Sequence, residues 1–564
     1  NDCGGLCMLH QAVYRHPAFA GIAQHYYAEL VSRNPVLATW LGEHSFDGLL
    51  PEAGAEAIER NIAFLRELKT AFCTLPENDL SIDEQIDRQA IIHFAEQQLF
   101  LDEDLQRWRT GRDLAMNIGD ALFLLFIRDF APLSERVRSM ISRLKAVPAF
   151  LMSGRTLFQK VSQENGELCL ESAAKLPAFL ATIESSLHRH VTPDLLQEFS
   201  RAAANAAKAV DDYSHWLKQA IMPKAEKEQT LGMGPFQALV SSRRIGMTPT
   251  EITDLARQLF QEATRQLEAL SCVILGESTG EAAGARIDAQ KRVNRHAPTS
   301  FDQVLSVYRE NLSRTRAFLE YSKFATLPAD EELDIIETPA YMRHIITSSA
   351  YFAPERKSAV QRGFYLITRD ESSLPARHNY AEIANSVIHR AYPGHHLHLA
   401  TQNQHPGILR SFTDSAEMIE GWASYCQEAV REKGFETSSE SLFVQALDKA
   451  RAAALLKTEV RLQTRTWTRE DAENFLVNQA RFEKEAAKGE IRRIMQRPSL
   501  YSARLTGHHQ LLLLKNELRT SFSHDFTDRS FHDLILYQGG IPVHLARQYF
   551  PQLMKQQLKS LNRV

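Results

Sequence analysis

The segment from His389 to His398 holds four histidines within ten residues, the densest group of metal-ligand side chains in the chain. Twenty-four residues after His396 comes Glu420, a carboxylate in an otherwise apolar stretch. Two imidazoles and one carboxylate are the protein ligands of many catalytic zinc ions, whose fourth coordination position stays open for water. These residue types in this order therefore predict a metal centre with hydrolytic chemistry.

The spacing of the histidines requires a break in the helix that carries them. In the H-E-x-x-H helix of zinc peptidases, the two histidines are four residues apart on one face. Here His389 is followed by His395 and His396, which on a regular helix would lie ~120° off its face or ~10.5 Å along it. Pro393 cannot donate to the carbonyl of His389, and Gly394 adds backbone freedom. We expect a break at this Pro-Gly pair to bring a second histidine back towards His389.

The segments that must position these residues have sequence patterns that mostly predict helix. Apolar residues recur at three- and four-residue spacing through much of the chain, for example over 55–73. Two stretches before the histidines, 345–351 and 363–368, are rich in β-branched and aromatic residues and predict a small β-hairpin. We expect a mainly helical protein with an N-terminal helical lobe, 1–240, and a C-terminal lobe, 241–564, that carries the histidines.

Two sequence patterns mark where particular helices begin. The segments from Ser81 to Glu84 and from Thr248 to Glu251 match the capping box, in which the side chains of the first and last residue bind each other's backbone. Each pattern precedes a stretch with helical periodicity, so we expect a helix to start at each of them.

The composition excludes several classes of partner. With 44% hydrophobic residues, 24% charged residues and a net charge of −4, the chain resembles ordinary soluble proteins. It has no basic excess for nucleic acid or a membrane surface, and no apolar run of ~18 residues that would cross a membrane. The six cysteines are scattered and the N-terminus lacks a signal-peptide pattern, which predicts a cytoplasmic protein.

The residues around the histidines also resemble a known family. Residues 389–397 read His-Arg-Ala-Tyr-Pro-Gly-His-His-Leu and resemble the H-E-A-Y-P-G-H-H-L signature of the bacterial family called domain of unknown function 885. Glu420 to Ala423, Phe531 to Leu534 and Gly540 to Val543 resemble further blocks of the same family. Its members look like distant relatives of the helical zinc peptidases of the thimet oligopeptidase and neurolysin type.

This resemblance implies a fold and a set of site residues. The fold would be a large helical, zincin-like body with a deep cleft and the β-hairpin beside the site. Zinc would be held by His389, Glu420 and one of His395 and His396. A short peptide or another small molecule would be the substrate, with Tyr351 and Tyr392 as candidate substrate-binding residues. Together with His389, His395, His396 and Glu420, these two tyrosines form part of the candidate site.

The sequence departs from the family at the residue after the first histidine, which is a glutamate in the family and Arg390 here. In zinc peptidases that glutamate takes a proton from water and passes it to the leaving amine. An arginine stays protonated and cannot do so. Its fixed positive charge beside the histidines also lowers metal affinity unless a carboxylate compensates it.

At a second position the family has a tyrosine and this chain has Arg504. Tyr501 lies one helical turn earlier and is a candidate for the role of that tyrosine. Arg390 and Arg504 are candidate substrate-binding residues, because two guanidinium groups in one cleft would bind a carboxylate or phosphate. For the missing base we consider Glu417 and Glu428, both on the helix after the histidines.

Three functions stay open at this stage. The first, which we favour because the ligand set is retained, is a metallopeptidase-like hydrolase of short peptides or amides with zinc as its cofactor. The replacement of the base by Arg390 leaves open whether such an enzyme is active or a pseudoenzyme. The second is a non-hydrolytic descendant, such as a lyase, cyclase or small-anion-binding protein. The third is a helical partner-binding protein in which the histidines are inert.

Overall fold

The computed structural model of the protein describes residues 14–227, 230–276, 282–339, 343, 346, 348–370 and 374–561. The chain is mainly helical, which confirms the expectation from apolar spacing. It divides into two compact units, Asn1–Gln229 and Thr230–Val564. The division lies close to the predicted boundary at residue 240, which falls inside a helix of the second unit.

The first unit is built from helices with apolar inner faces. Leu144, Ile183 and Phe199 lie on three successive helices and are fully buried in its core. Burial of such side chains stabilises the unit by about 1.5–3 kcal/mol each. The helices are α1 Pro17–Arg33, α2 Pro35–Leu41, α3 Ala55–Cys73, α4 Ile82–Leu99, α5 Leu114–Ile127, α6 Leu133–Gly154, α7 Gln163–Leu187 and α8 Pro193–Trp216.

The second unit is also mainly helical and carries the histidines. Its elements before the histidines are α9 Met233–Ser242, α10 Pro249–Leu275, α11 Ala282–Arg295, α12 Phe301–Tyr321, the strands β1 Glu331–Glu337, β2 Ser349–Phe352 and β3 Gln361–Ile367, and α13 Leu374–Arg377. The remaining helices are α14 Tyr380–Arg390, α15 His395–Gln402, α16 Ala416–Glu432, α17 Ser439–Gln463, α18 Arg469–Asn474, α19 Lys484–Gln496, α20 Ser502–Phe522, α21 Asp528–Tyr537 and α22 Val543–Leu561.

Helices α10 and α17 form the longest pairing in this unit. Ala263 and Leu267 of α10 and Phe443 and Ala450 of α17 belong to one buried apolar cluster. Their regular spacing along each helix presents one continuous apolar face, which is the pattern of a helix packed lengthwise on another.

The two predicted capping boxes are confirmed. The side chain of Ser81 accepts from the backbone N–H of Glu84, whose carboxylate accepts from the backbone N–H of Ser81. Thr248 and Glu251 make the same reciprocal pair at the start of α10. Each pair binds backbone N–H groups that the first helical turn leaves without intrahelical partners.

The strands form one small sheet with the order β1-β3-β2. Strand β2 pairs antiparallel with β3, as the predicted hairpin requires, and places Tyr351 opposite Tyr365. Residues 345 and 347 of the predicted first strand lie outside the described residues. The sequence analysis missed β1, which pairs parallel to β3. Its sequence, Glu-Glu-Leu-Asp-Ile-Ile-Glu, carries four carboxylates and lacks the apolar run of a typical strand.

None of the helices in the described ranges combines the length and the apolar character needed to cross a membrane.

Candidate metal centre

Helix α14 brings His389 to the site. The helix begins at Asn379, whose side chain accepts from the backbone N–H of Glu382. It ends at Arg390, so His389 lies in its last turn. The buried residues Ile383, Val387 and Ile388 hold the helix in the core of the second unit. This packing fixes the direction in which the His389 side chain leaves the helix.

The helix stops where the sequence predicts a break, and a new helix begins at His395. In the turn between them, the backbone N–H of Gly394 donates to the carbonyl of Ile388 at 3.1 Å. A Cβ atom at Gly394 would lie 1.8 Å from the carbonyl oxygen of His389, so only glycine fits there. The tight turn reverses the chain and returns His395 to the neighbourhood of His389.

Helix α16 supplies the carboxylate. Ser415 caps its first turn by accepting from the backbone N–H of Met418 at 3.2 Å. Glu420 follows on the second turn. At Gly421, an added Cβ atom would lie 2.5 Å from the backbone of Gly507 on α20. The two glycines therefore let α16 and α20 approach each other closely beside the site.

His389, His395 and Glu420 converge on one point. Their ligand atoms all lie within 4.8 Å of one another. The Nε2 atoms of His389 and His395 are 3.9 Å and 3.7 Å from the two carboxylate oxygens of Glu420. Ligand atoms around a tetrahedral zinc ion lie roughly 3.4 Å apart, so side-chain rotations alone would close this set. The donor types are those of a catalytic zinc site.

The burial of the three side chains differs. The side chains of His389 and His395 are 15% and 9% exposed, whereas that of Glu420 is 41% exposed. The Nδ1 atoms of both histidines are buried without a hydrogen-bond partner. In most metal sites that second nitrogen donates to a protein group. The three residues therefore fit zinc in the type of their ligand atoms and in how closely these atoms converge, but the two histidines lack the supporting hydrogen bond.

The charges around the three ligands explain their protonation. Burial, and after it the positive charges of Arg504 and Arg390, hold the pKa of His389 well below its usual value. Burial and the same two arginines lower the pKa of His395 to about 3. Both imidazoles are therefore neutral near pH 7, which is the form that binds a metal. Burial raises the pKa of Glu420.

His396 lies next to His395 in the sequence but faces a different partner. Its Nε2 atom is 2.8 Å from a carboxylate oxygen of Glu331 on β1, and its Nδ1 atom is 3.0 Å from the hydroxyl of Tyr351. The side chains of His396 and Glu331 are both fully buried. With both ring nitrogens engaged, His396 does not join His389 and Glu420, and His395 takes that place.

The fourth histidine of the segment, His398, is also fully buried. Neither of its ring nitrogens has a hydrogen-bond partner, and its ring lies 6.0 Å from that of Trp422. Burial lowers its pKa to about 3. It packs as a neutral ring behind the converging residues.

The two tyrosines predicted to bind substrate lie around Glu331. The hydroxyl of Tyr392 donates to the Glu331 carboxylate, and the guanidinium of Arg316 lies 2.8 Å from the same carboxylate. Tyr351 is bound to His396 as described above. Both hydroxyls are thus used in contacts within the protein, and the structure does not bring either of them to His389 and Glu420.

The two predicted anion-binding arginines differ in their surroundings. Arg504 donates from Nε to the Ser424 hydroxyl at 2.8 Å, from Nη2 to the Gln427 amide oxygen at 3.3 Å, and from both terminal nitrogens to Asp448. Within the described ranges, Arg390 makes no hydrogen bond or ion pair. Its charge nevertheless acts on His389, as noted above. Arg504 is thus neutralised and Arg390 is not.

The three candidate catalytic residues are bound elsewhere. Glu417 pairs with Arg243 at 2.5 Å. Glu428 lies ~12 Å along α16 from Glu420 and contacts Lys449 at 3.0 Å. Although burial opposes ionisation, His508 and Lys449 together lower the pKa of Glu428 to about 2, which makes it a weak base. The hydroxyl of Tyr501 donates to Glu490. The structure brings none of the three to the histidines.

The sequence analysis missed Glu331 and Asp448, which hold His396 and Arg504. Asp448 lies on the long helix α17, 28 residues after Glu420, and Glu331 lies on the unpredicted strand. Neither belongs to a recognisable motif. The local sequence gives no signal for Glu331 either, because its neighbours Asp330 and Glu332 are also carboxylates.

Comparisons with known proteins place this chain among structures without an assigned function. It is similar to a structure described as "a putative lipoprotein of unknown function" from Shewanella oneidensis, with 19% identity and a TM-score of 0.78, over 94% of this chain and 99% of that one. A second, described as a "putative lipoprotein" from Colwellia psychrerythraea, shares 16% identity with a TM-score of 0.81, over 96% and 99% of the two chains. No curated protein matches.

These two likenesses show that the fold recurs, and the family itself follows from the sequence. A family model described as "Bacterial protein of unknown function (DUF885)" matches residues 35–549, which is most of the chain. The blocks around His389, Glu420 and Phe531 all lie inside this match. The chain therefore belongs to the bacterial protein family of unknown function DUF885.

Proposed function

We propose that this protein is a zinc-dependent hydrolase of small amide or ester substrates, including short peptides, in which Arg390 has replaced the usual base. The observation that carries this proposal is the convergence of His389, His395 and Glu420 within 4.8 Å. A bound zinc ion would polarise a substrate carbonyl and acidify a water molecule. The resemblance to helical zinc peptidases supports the same reaction class, as does the neutral state of both histidines.

The charged groups around the triad determine which substrates suit it. Glu417 and Glu428 are paired with Arg243 and Lys449, so neither is free to move a proton at the site. An amide nitrogen must be protonated as it leaves, whereas an aryl-ester oxygen leaves as an anion. General acid–base catalysis contributes about 10²–10⁴-fold in enzymes that have it. We therefore propose esters and activated amides as better substrates than ordinary peptides.

The test compares the wild type with Arg390→Glu, which restores the family's residue. Each protein is loaded with zinc and assayed on matched aryl esters and short peptides. We expect the wild type to favour esters, and the variant to gain at least about 10²-fold on peptides because a proton carrier now adjoins the metal. Arg362→Glu, at an exposed arginine paired with Glu332, serves as the control for the charge change. Zinc-loaded protein without turnover on either substrate class, in both forms, would contradict the proposal.

A second candidate function, binding of a small anion without hydrolysis, is favoured by one observation. Within the described ranges, Arg390 makes no hydrogen bond or ion pair and acts on Glu420 and Asp448 only through its charge, whereas Arg504 forms an ion pair with Asp448. An anion site would therefore be built on Arg390 rather than on both arginines. Thermal stabilisation by small carboxylates or phosphate that is lost in Arg390→Ala and kept in Arg362→Ala would support this function. Stabilisation that survives Arg390→Ala would contradict it.

A further inference from the structure

One backbone carbonyl, that of Pro393, joins the two segments that carry the proposed ligands. It lies in the turn between α14 and α15, two residues before His395. Two side chains of α16 donate to it: the indole Nε1–H of Trp422 at 2.8 Å and the thiol of Cys426 at 3.6 Å. Trp422 in turn lies two residues after Glu420. The hydrogen bond from Trp422 therefore connects two positions that each lie two residues from a proposed ligand.

The indole that makes this bond is itself held in place. Trp422 is fully buried, and its ring lies 5.7 Å from that of Tyr425, 5.6 Å from that of His532 and 6.4 Å from that of Phe324. These contacts leave the indole no room to swing away from the turn. The aromatic cluster thereby fixes the direction of the Nε1–H bond.

Hydrogen bonds fix the cluster further. Nδ1 of His532 is 2.7 Å from the carbonyl of Phe324, so this nitrogen carries the proton. The hydroxyl of Tyr425 then donates to Nε2 of His532 at 2.8 Å and accepts from Lys515 at 2.9 Å. His532 belongs to the Phe-His-Asp block near the C-terminus. This chain of bonds gives that block a role at the site.

We propose that Trp422 is a positioning residue for the metal centre, which fixes the distance between the His395 imidazole and the Glu420 carboxylate by holding the Pro393 carbonyl. This role rests on the proposed metal centre. The turn carries no other side-chain bond to α16 than those of Trp422 and Cys426 among the described residues. Loss of the indole N–H leaves a buried carbonyl without its main donor, and the turn then moves relative to Glu420.

The chain offers a matched control in its first unit. Trp108 is also buried, and its Nε1–H donates to the backbone carbonyl of Asp102 at 3.0 Å. Trp108→Phe and Trp422→Phe therefore remove the same kind of bond and keep an aromatic ring. Only the second bond adjoins the proposed ligands. A general loss of stability would appear in both variants, and a change in ligand geometry only in Trp422→Phe.

The experiment uses cobalt(II) as a spectroscopic probe for the metal. Metal-free wild type, Trp422→Phe, Trp108→Phe and Cys426→Ala are titrated with cobalt(II) while the visible absorption bands are recorded, and thermal unfolding is measured in parallel. We expect Trp422→Phe to bind cobalt about tenfold more weakly and to show shifted or weaker bands, since supporting groups typically contribute 10–100-fold. Trp108→Phe should match the wild type in both respects.

The outcomes separate this role from the proposed function. If Trp422→Phe does not fold, Cys426→Ala decides, with an expected loss of affinity of about twofold and altered bands, since a thiol is the weaker donor. Wild-type affinity and spectrum in the folded Trp422→Phe, or in Cys426→Ala when Trp422→Phe is unfolded, would overturn the role of Trp422 and leave the metal centre standing. Wild-type protein that binds no cobalt would overturn both.

Discussion

Two adjacent histidines meet two carboxylates in opposite ways. His396 and Glu331 are 2.8 Å apart and fully buried. The other ring nitrogen of His396 contacts Tyr351, and Arg316 lies 2.8 Å from the second carboxylate oxygen of Glu331. His395 lies 3.7 Å from Glu420, which makes no hydrogen bond with it and is 41% exposed. The first pair is held by hydrogen bonds and an ion pair within the protein, as buried structural groups usually are. The second has converging donors that do not bind one another, which is typical of a ligand site.

The pKa values of Glu331 and Glu420 are shifted in opposite directions. Burial alone would raise the pKa of Glu331, but the hydrogen bonds from His396 and Tyr392 outweigh it and lower the value. Burial raises the pKa of Glu420, and the nearby Arg504 and Arg390 reduce this rise without reversing it. The protein thus stabilises the charge of Glu331 by direct contacts and leaves that of Glu420 open to an external cation.

The largest effect should come from breaking the structural pair. Glu331→Ala removes the acceptor of His396, Tyr392 and Arg316 in the protein interior, which should cost about 3–5 kcal/mol of unfolding free energy. Urea denaturation measures it. The neighbouring Glu332→Ala removes only a surface pair with Arg362 and should cost less than about 1 kcal/mol. Equal, small losses in the two variants would mean that the buried pair has no special weight.

The next largest effect concerns the proposed metal ligands. Glu420→Gln keeps the shape of the side chain and removes its negative charge, so zinc affinity should fall by more than about 100-fold, beyond the effect typical of supporting groups. The stability of the metal-free protein should change by less than about 0.5 kcal/mol, because this carboxylate makes no hydrogen bond with any residue that the structure describes. Competition with a chelator of known affinity measures the first quantity. An unchanged zinc affinity would remove Glu420 from the ligand set.

The smallest effect is the pH dependence of the structural pair. The pKa of Glu331 is lower in the folded protein than in the unfolded chain, so its contribution is fully present above about pH 4.5 and declines as the pH falls through the folded pKa. The stability difference between wild type and Glu331→Gln should therefore stay constant from neutral pH down to about 4.5 and shrink below it. A difference that grows towards acid would give the pKa shift the opposite sign.

Some of the site could be predicted from residue types alone. The Pro393-Gly394 pair predicted the break in the helix, because proline removes a donor and glycine permits a close backbone approach. The choice between His395 and His396 could not be predicted. It depends on which imidazole ring binds the Glu331 carboxylate. Glu331 lies on β1, and the four carboxylates of this strand interrupt the apolar pattern from which a strand is predicted.

The pairing of the candidate bases could not be predicted for a similar reason. Glu417 and Glu428 lie on the same helix as Glu420. Their partners, Arg243 and Lys449, come from other parts of the sequence. The same holds for Arg504, whose partner Asp448 lies on α17. The predicted cytoplasmic location stays a prediction, and two similar structures are each described as a "putative lipoprotein".

The sequence by itself determined the helical class, the family, the break after Arg390 and the residue types of the proposed metal site. Local rules suffice for these, since periodicity, capping and Pro-Gly chemistry act over a few residues. Only the tertiary structure decided which histidine faces Glu420, which arginine is neutralised and which carboxylates are free. Those outcomes depend on contacts between segments far apart in the chain, where burial and charge pairing select one partner among several of the same type.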